Sequence, residues 1–145
     1  MKKVQYLFVA LLFTVALHAQ NNANDIIGKW LSQSGKAKIE VFESGNKYYG
    51  KIVWLKTPLD VNGNIKVDGN NPNPEKRKIK LIGLLLLRSM EFDGHGTWHR
   101  GTIYDPENGK EYKCKITKNA QGNLDIRGYI GVSMIGRTSV WSKTE

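Results

Sequence analysis

An all-β fold, an antiparallel meander closed into a small barrel, is the architecture this sequence predicts. Three observations carry that reading. Short segments rich in β-branched and aromatic residues recur along the chain, and turn-forming residues separate most of them. No stretch beyond the N-terminus shows a helical period flanked by caps. In order, the predicted strands are 36–42, 47–55, 84–92, 97–104, 110–117, 123–128 and 137–143. Between them, Glu43-Ser44-Gly45-Asn46, Asp93-Gly94-His95-Gly96, Asp105-Pro106-Glu107-Asn108-Gly109 and Asn119-Ala120-Gln121-Gly122 fit hairpin connections. Alternation is clearest where Tyr112, Cys114 and Ile116 interleave with Glu111, Lys113 and Lys115, so one face is dry and the other wet. A meander of seven to nine strands removes its exposed edges most simply by closing on itself.

The first 19 residues read as an address. Lys2 and Lys3 form a basic start, an apolar run follows to Leu17, and Ala19 offers a small residue for cleavage. The run is too short to span a bilayer, and no Cys follows it to carry a lipid. The expected division is a signal peptide over 1–19, a short tail over 20–26 and a single barrel domain over 27–145. Export to the periplasm or the medium, without a lipid anchor, follows from that signal.

The 145 residues carry 22 Lys and Arg against 13 Asp and Glu, a net charge of +9. Removing the signal peptide takes two lysines and leaves 126 residues at +7. One Cys, Cys114, excludes an internal disulfide framework and a Cys-rich zinc site. In an exported chain its inward register makes it a buried, inert thiol.

Two stretches interrupt the meander. Residues 58–74 form a long polar loop with Asn62-Gly63 as a tight turn and an Asx-rich bend from Asp68 to Pro74. Loops of that length in a compact domain often serve function. A basic run over 75–80 follows, then the apolar run 81–87, which reads either as a strand buried on both faces or as a short helix plugging a barrel end.

Catalytic constellations are absent. His95 and His99 have the four-residue spacing of paired metal ligands, but glycines flank the first and no Cys or acidic cluster completes a set. No nucleophile elbow or lysine dyad occurs. Asp60, Asp68 and Asp105 sit in turn contexts where capping of backbone amides explains them, although two carboxylates could still meet in space. The 105–110 segment lacks the alternating oxygens of a calcium loop and reads as a turn. No metal or other cofactor is expected.

Gly28-Lys29-Trp30, just before the first predicted strand, resembles the Gly-x-Trp signature of lipocalins and related calycin barrels. That resemblance implies an Arg from the last strand stacked on Trp30, a role that falls to Arg137, with a cation–π contact closing one barrel end. Almost the whole mature chain, from about Ile27 onward, is similar to a bacterial exported family known as domain of unknown function 2147. The similarity rests on Tyr49-Gly50-Lys51-Ile52-Val53-Trp54, on Asp68-x-Asn70-x-Pro72 with Arg77 and Gly83-Leu84, and on Trp98. It continues through Gly101-x-Ile103-Tyr104-Asp105-Pro106-x-x-Gly109-Lys110-x-Tyr112, then Leu124-x-Ile126-Arg127-Gly128-Tyr129-Ile130-Gly131, Gly136-Arg137-Thr138 and Trp141. It implies a lipocalin-like barrel and brings no activity. One departure is Ile79-Lys80 following Arg77-Lys78, where the family pattern implies Arg-Pro-Leu; it bears on loop geometry.

The function expected is binding of an apolar or amphipathic small ligand, lipid-like, within the barrel. The candidate residues are Trp54, Asp68, Asn70, Tyr104, Tyr112, Arg127 and Tyr129. Arg127 either projects into a cavity or pairs with Asp105 or Asp68 at the rim, and the sequence leaves both open. With a lumenal ligand, Arg127 would meet its polar head while Trp54 and Tyr112 pack its apolar part. Loop 58–74, with Asp68 and Asn70, is then expected at the open end near Arg127 and Tyr129. The alternative is an envelope protein that lays its basic surface on anionic lipids or polymers. Nucleic acid is not an expected partner, and a monomer is the favoured state.

Overall fold

The computed structural model describes residues 22–145, and the predicted signal peptide lies outside them. Eight antiparallel strands close into a barrel in chain order. They are β1 (Gly28–Leu31), β2 (Ala37–Ser44), β3 (Lys47–Leu55), β4 (Leu85–Phe92), β5 (Thr97–Asp105), β6 (Lys110–Lys118), β7 (Leu124–Tyr129) and β8 (Gly136–Thr144). The seven predicted strands are all present, with ends within two residues of expectation. The eighth is β1. Gly28-Lys29-Trp30 does not precede the first strand but is that strand, pairing with β2 on one side and with β8 on the other.

Tight hairpins join β2 to β3, β4 to β5, β5 to β6 and β6 to β7. Their Asx residues do the work expected of them. Asp93 Oδ1 accepts from His95 N at 2.7 Å and Thr97 N at 3.0 Å, and Asp105 Oδ1 accepts from Glu107 N at 2.8 Å. Apolar run 81–87 resolves as a strand entry, not a helix. Leu81–Leu84 turns into β4, where the consecutive Leu86 and Leu87 are both buried.

Alternation sends one side chain in two to the interior, where Trp30, Ile39, Ile52, Leu87, Met90, Trp98, Ile116 and Ile126 belong to one continuous core. Several of these have no surface that water can reach from inside or outside, so no water-sized void adjoins them. Cys114 lies among them, as its register predicts, and burial pushes its thiol up to about 12.

The barrel has two unlike ends. At one, the segment expected as a short tail folds into a 3-10 turn, Ala23–Ile26, with Asn22 as its cap. Ile26 is fully buried. Trp30 Nε1 donates to the Ile26 carbonyl at 2.8 Å, Trp98 Nε1 donates to that of Ala23 at 3.0 Å, and Tyr48 Oη donates to Asn24 Oδ1 at 3.0 Å. At the opposite end lie the connections β1–β2, β3–β4, β5–β6 and β7–β8, including the long 56–84 segment.

Candidate functional site

Loop 58–74 folds back along the outer wall over β4, β5 and β6, and a buried polar knot fastens it there. Asp68 is 0% exposed. Its Oδ1 accepts from Tyr104 Oη at 2.8 Å and its Oδ2 from Asn71 Nδ2 at 2.7 Å. Asn71 is a second hub: its Oδ1 accepts from Asn73 N at 2.9 Å and its carbonyl from Arg77 Nε at 2.8 Å. Asn70 Nδ2 reaches the Pro106 and Glu107 carbonyls at 3.2 and 2.9 Å, tying the loop to the β5–β6 hairpin. Burial first, then the hydrogen bond and charge of Asp68, push the Tyr104 hydroxyl up to about 12, so it stays a neutral donor.

Beside this knot a groove of ≈ 540 Å³ opens between the loop and the barrel wall. Ile79, Leu84 and Leu85 give it an apolar floor, Tyr104 closes its inner side, and Lys76 and Arg88 bring cations. Arg88 lies with its guanidinium carbon 5.3 Å from the Tyr104 ring centroid. It donates from Nη1 to Glu111 Oε2 at 3.1 Å and from Nη2 to the Leu85 carbonyl at 3.3 Å, and Glu111 also accepts from Thr102. No motif in the sequence marks Arg88, Leu85 or Glu111. They meet only because β4, β5 and β6 are neighbours on the outer wall.

Of the seven candidate residues, Asp68, Asn70 and Tyr104 converge at this knot; the other four do not. Trp54 is 40% exposed, with Lys38 Nζ 5.7 Å from its ring centroid. The β2–β3 register jumps from Ile39↔Ile52 to Lys38↔Trp54, so a bulge at Val53 turns the indole to the outside. Tyr112 does face inward, level with Ile103 and beside Gly128, with its hydroxyl taken by Asn108 Nδ2 at 2.9 Å. Arg127 faces out, because Leu124 and Ile126 hold the inward register of β7, and Tyr129 shares that outer face. Arg127 neither enters the lumen nor pairs with Asp68 or Asp105. It donates to the Ser133 and Met134 carbonyls and to Thr138 Oγ1 (2.9 Å), clamping the β7–β8 connection. The long loop shares an end with that connection but docks two strands away from it.

Trp30 does carry a cation at its ring, but from Lys143, whose Nζ lies 5.8 Å from the centroid. The β1–β8 register sets Trp30 opposite Lys143, whereas Arg137 lies opposite Gly128 at the far end of β8 and is exposed. Six residue steps along β8 separate the two cations, about 20 Å along the strand. His95 sits in the β4–β5 turn and His99 on β5; among the described residues no three His, Cys, Asp or Glu side chains group as metal ligands.

An eight-stranded antiparallel barrel of consecutive strands, opened by Gly-x-Trp, is a lipocalin-like barrel. The chain belongs to the family described as uncharacterized proteins conserved in bacteria (DUF2147), whose family model matches residues 28–143. Among solved structures it is similar to the Helicobacter pylori protein HP1028, described as belonging to the lipocalin family. The two share 26% identity over 83% of each chain, with a TM-score of 0.70. A search of curated proteins finds no match.

Proposed function

We propose that this protein is an exported binding module that takes an amphipathic, lipid-like small molecule in the groove beneath the long loop. The groove carries the reading. Its ≈ 540 Å³ falls within the size of small-molecule sites, roughly 300–1,000 Å³, and it combines an apolar floor with a few fixed polar groups. Arg88 is pre-oriented by Glu111 and Tyr104 and retains donors beyond the two it uses, enough to receive a carboxylate or phosphate head. Ile79, Leu84 and Leu85 would pack the apolar part. The filled interior around Trp30, Leu87, Met90, Trp98 and Ile116 favours this site over the deep lumen, and kinship with a lipocalin-family structure supports a binding role in general. Export rests on the tripartite pattern of residues 1–19.

The test is a fluorescent fatty-acid probe titrated at fixed salt into wild type, Arg88→Ala, Leu85→Asp and Arg127→Ala. Wild type and Arg127→Ala should saturate alike, while Arg88→Ala weakens binding about tenfold, the loss of one charge-assisted hydrogen bond. Leu85→Asp should bind more weakly still. No saturable binding, or equal affinity in Arg88→Ala, overturns the proposal.

A further inference from the structure

The loop end of the barrel carries large apolar side chains that are half-exposed or more. On the β3–β4 connection, Leu59 and Ile65 bridge a small hairpin whose tip, Val61, is 101% exposed. On the β7–β8 connection, which lies diametrically across the barrel in strand order, Ile130 is 71%, Met134 87% and Ile135 74% exposed. This second group is not a loose strand end. The Arg127 clamp holds the Ser133 and Met134 carbonyls, so the backbone polar groups turn to the barrel while the side chains stand in water. A single exposed Leu or Ile is ordinary, but clusters on two loops at one end mark an interaction surface.

The charge at that end indicates what it meets. The 56–84 segment holds six bases against three acids, one of them the buried Asp68, and residues 76–80 are exposed throughout. Residues 130–136 carry no charge at all. Lysine is depleted in the cores of protein–protein interfaces, which argues against a protein partner here. Apolar tips beside flexible cations suit a bilayer surface, where the tips enter the acyl boundary and the lysines reach phosphate heads.

We propose that the protein docks on anionic membrane surfaces through its loop end, with Val61 and the 130–135 loop inserted and the 76–80 cations on the headgroups. Lys76 and Ile79 also border the groove, whereas Lys78, Lys80, Val61 and the 130–135 loop do not line it, so the two sites can be lesioned separately. Docking by this end also gives Arg127 a role, as the residue that presents the inserting loop.

The experiment is co-sedimentation with phosphatidylcholine vesicles, with and without phosphatidylglycerol. It uses the chain from Gln20, the mature start that the signal pattern predicts, which keeps the closed barrel and its core among the described residues. Wild type should partition onto the anionic vesicles and release as salt is raised. The variant Met134→Asp/Ile135→Asp should bind at least about tenfold more weakly with an unchanged thermal melt. Lys78→Glu/Lys80→Glu should lose the preference for anionic lipid. Arg88→Ala, which lesions only the groove, should partition like wild type, so failure of the ligand proposal would not register here. Equal binding by the tip variant, or no preference for anionic vesicles, overturns the proposal. So does a wild-type dimer that the tip substitutions dissociate, which would make this end a contact between copies.

Discussion

Replacing Tyr104 with Phe removes one hydroxyl and nothing else, which makes it the sharpest probe of the knot that holds the long loop. The lost bond is the 2.8 Å donation to Asp68 Oδ1. Asp68 is 0% exposed, so no water is at hand to replace the hydroxyl, and the carboxyl group keeps only Asn71 as a side-chain donor. Leaving a buried acceptor short of a partner costs about 1–3 kcal/mol. For a domain of this size each kcal/mol lowers Tm by about 4 °C, so the variant should melt about 4–12 °C below wild type. Calorimetry on wild type, Tyr104→Phe, Asp68→Ala and the double variant completes a cycle. In the Asp68→Ala background the hydroxyl has lost its acceptor, so adding Tyr104→Phe should cost far less. A Tyr104→Phe Tm within about 1 °C of wild type, or costs that simply add, would refute the argument that this bond anchors the loop.

Two further outcomes follow from close packing. Gly109 has φ +71°, and a Cβ there would overlap the Asn70 carbonyl oxygen, so Gly109→Ala should lift the loop from the β5–β6 hairpin. Limited proteolysis should then nick residues 58–74 faster than in wild type; an unchanged digestion pattern would show that the seam tolerates the methyl. Cys114 should resist a thiol reagent until the chain unfolds, since burial raises its thiol from 9.0 to about 12. The unfolded chain releases that proton first, so stability is full below pH 9 and falls as pH rises toward 12. The slope is about 1.4 kcal/mol per pH unit for this one group, and denaturant titrations on wild type and Cys114→Ala should differ by that amount.

The barrel was legible in the sequence because its signals are local. Period-two alternation on β6 and Asx-Gly chemistry in the hairpins act within a few residues, and both appear where expected. What failed was register. A single bulge at Val53 sends Trp54 outward, and the pairing of β1 with β8 puts Lys143, not Arg137, beside Trp30. Neither is encoded by a residue type at a fixed spacing. Arg127 misleads for a related reason: parity along β7 decides its face, and only Leu124 and Ile126 together fix that parity. The knot was half legible. Asp68, Asn70 and Tyr104 stand out in the chain, but Arg88, Leu85 and Glu111 join them through strand neighbours far away in sequence.

The unlike ends of the barrel explain why a site outside the lumen is the economical one. An eight-stranded barrel either fills with its own side chains or leaves room for one small ligand, and the side chains near the Ala23–Ile26 turn decide between the two here. Here Trp30, Trp98 and Trp141 all occupy the interior, and the first two donate to carbonyls of the Ala23–Ile26 turn. Admitting a lumenal ligand from that end would expose Ile26, at about 2 kcal/mol, and break two indole hydrogen bonds, one buried and one part-buried, at about 1 kcal/mol each. About 4 kcal/mol is three powers of ten in affinity, set against the ligand before it makes any contact. The groove at the other end carries no such penalty. Its walls are already held apart by the Asp68 knot and by Arg88 seated on Tyr104, so a ligand of the proposed kind would displace only water there.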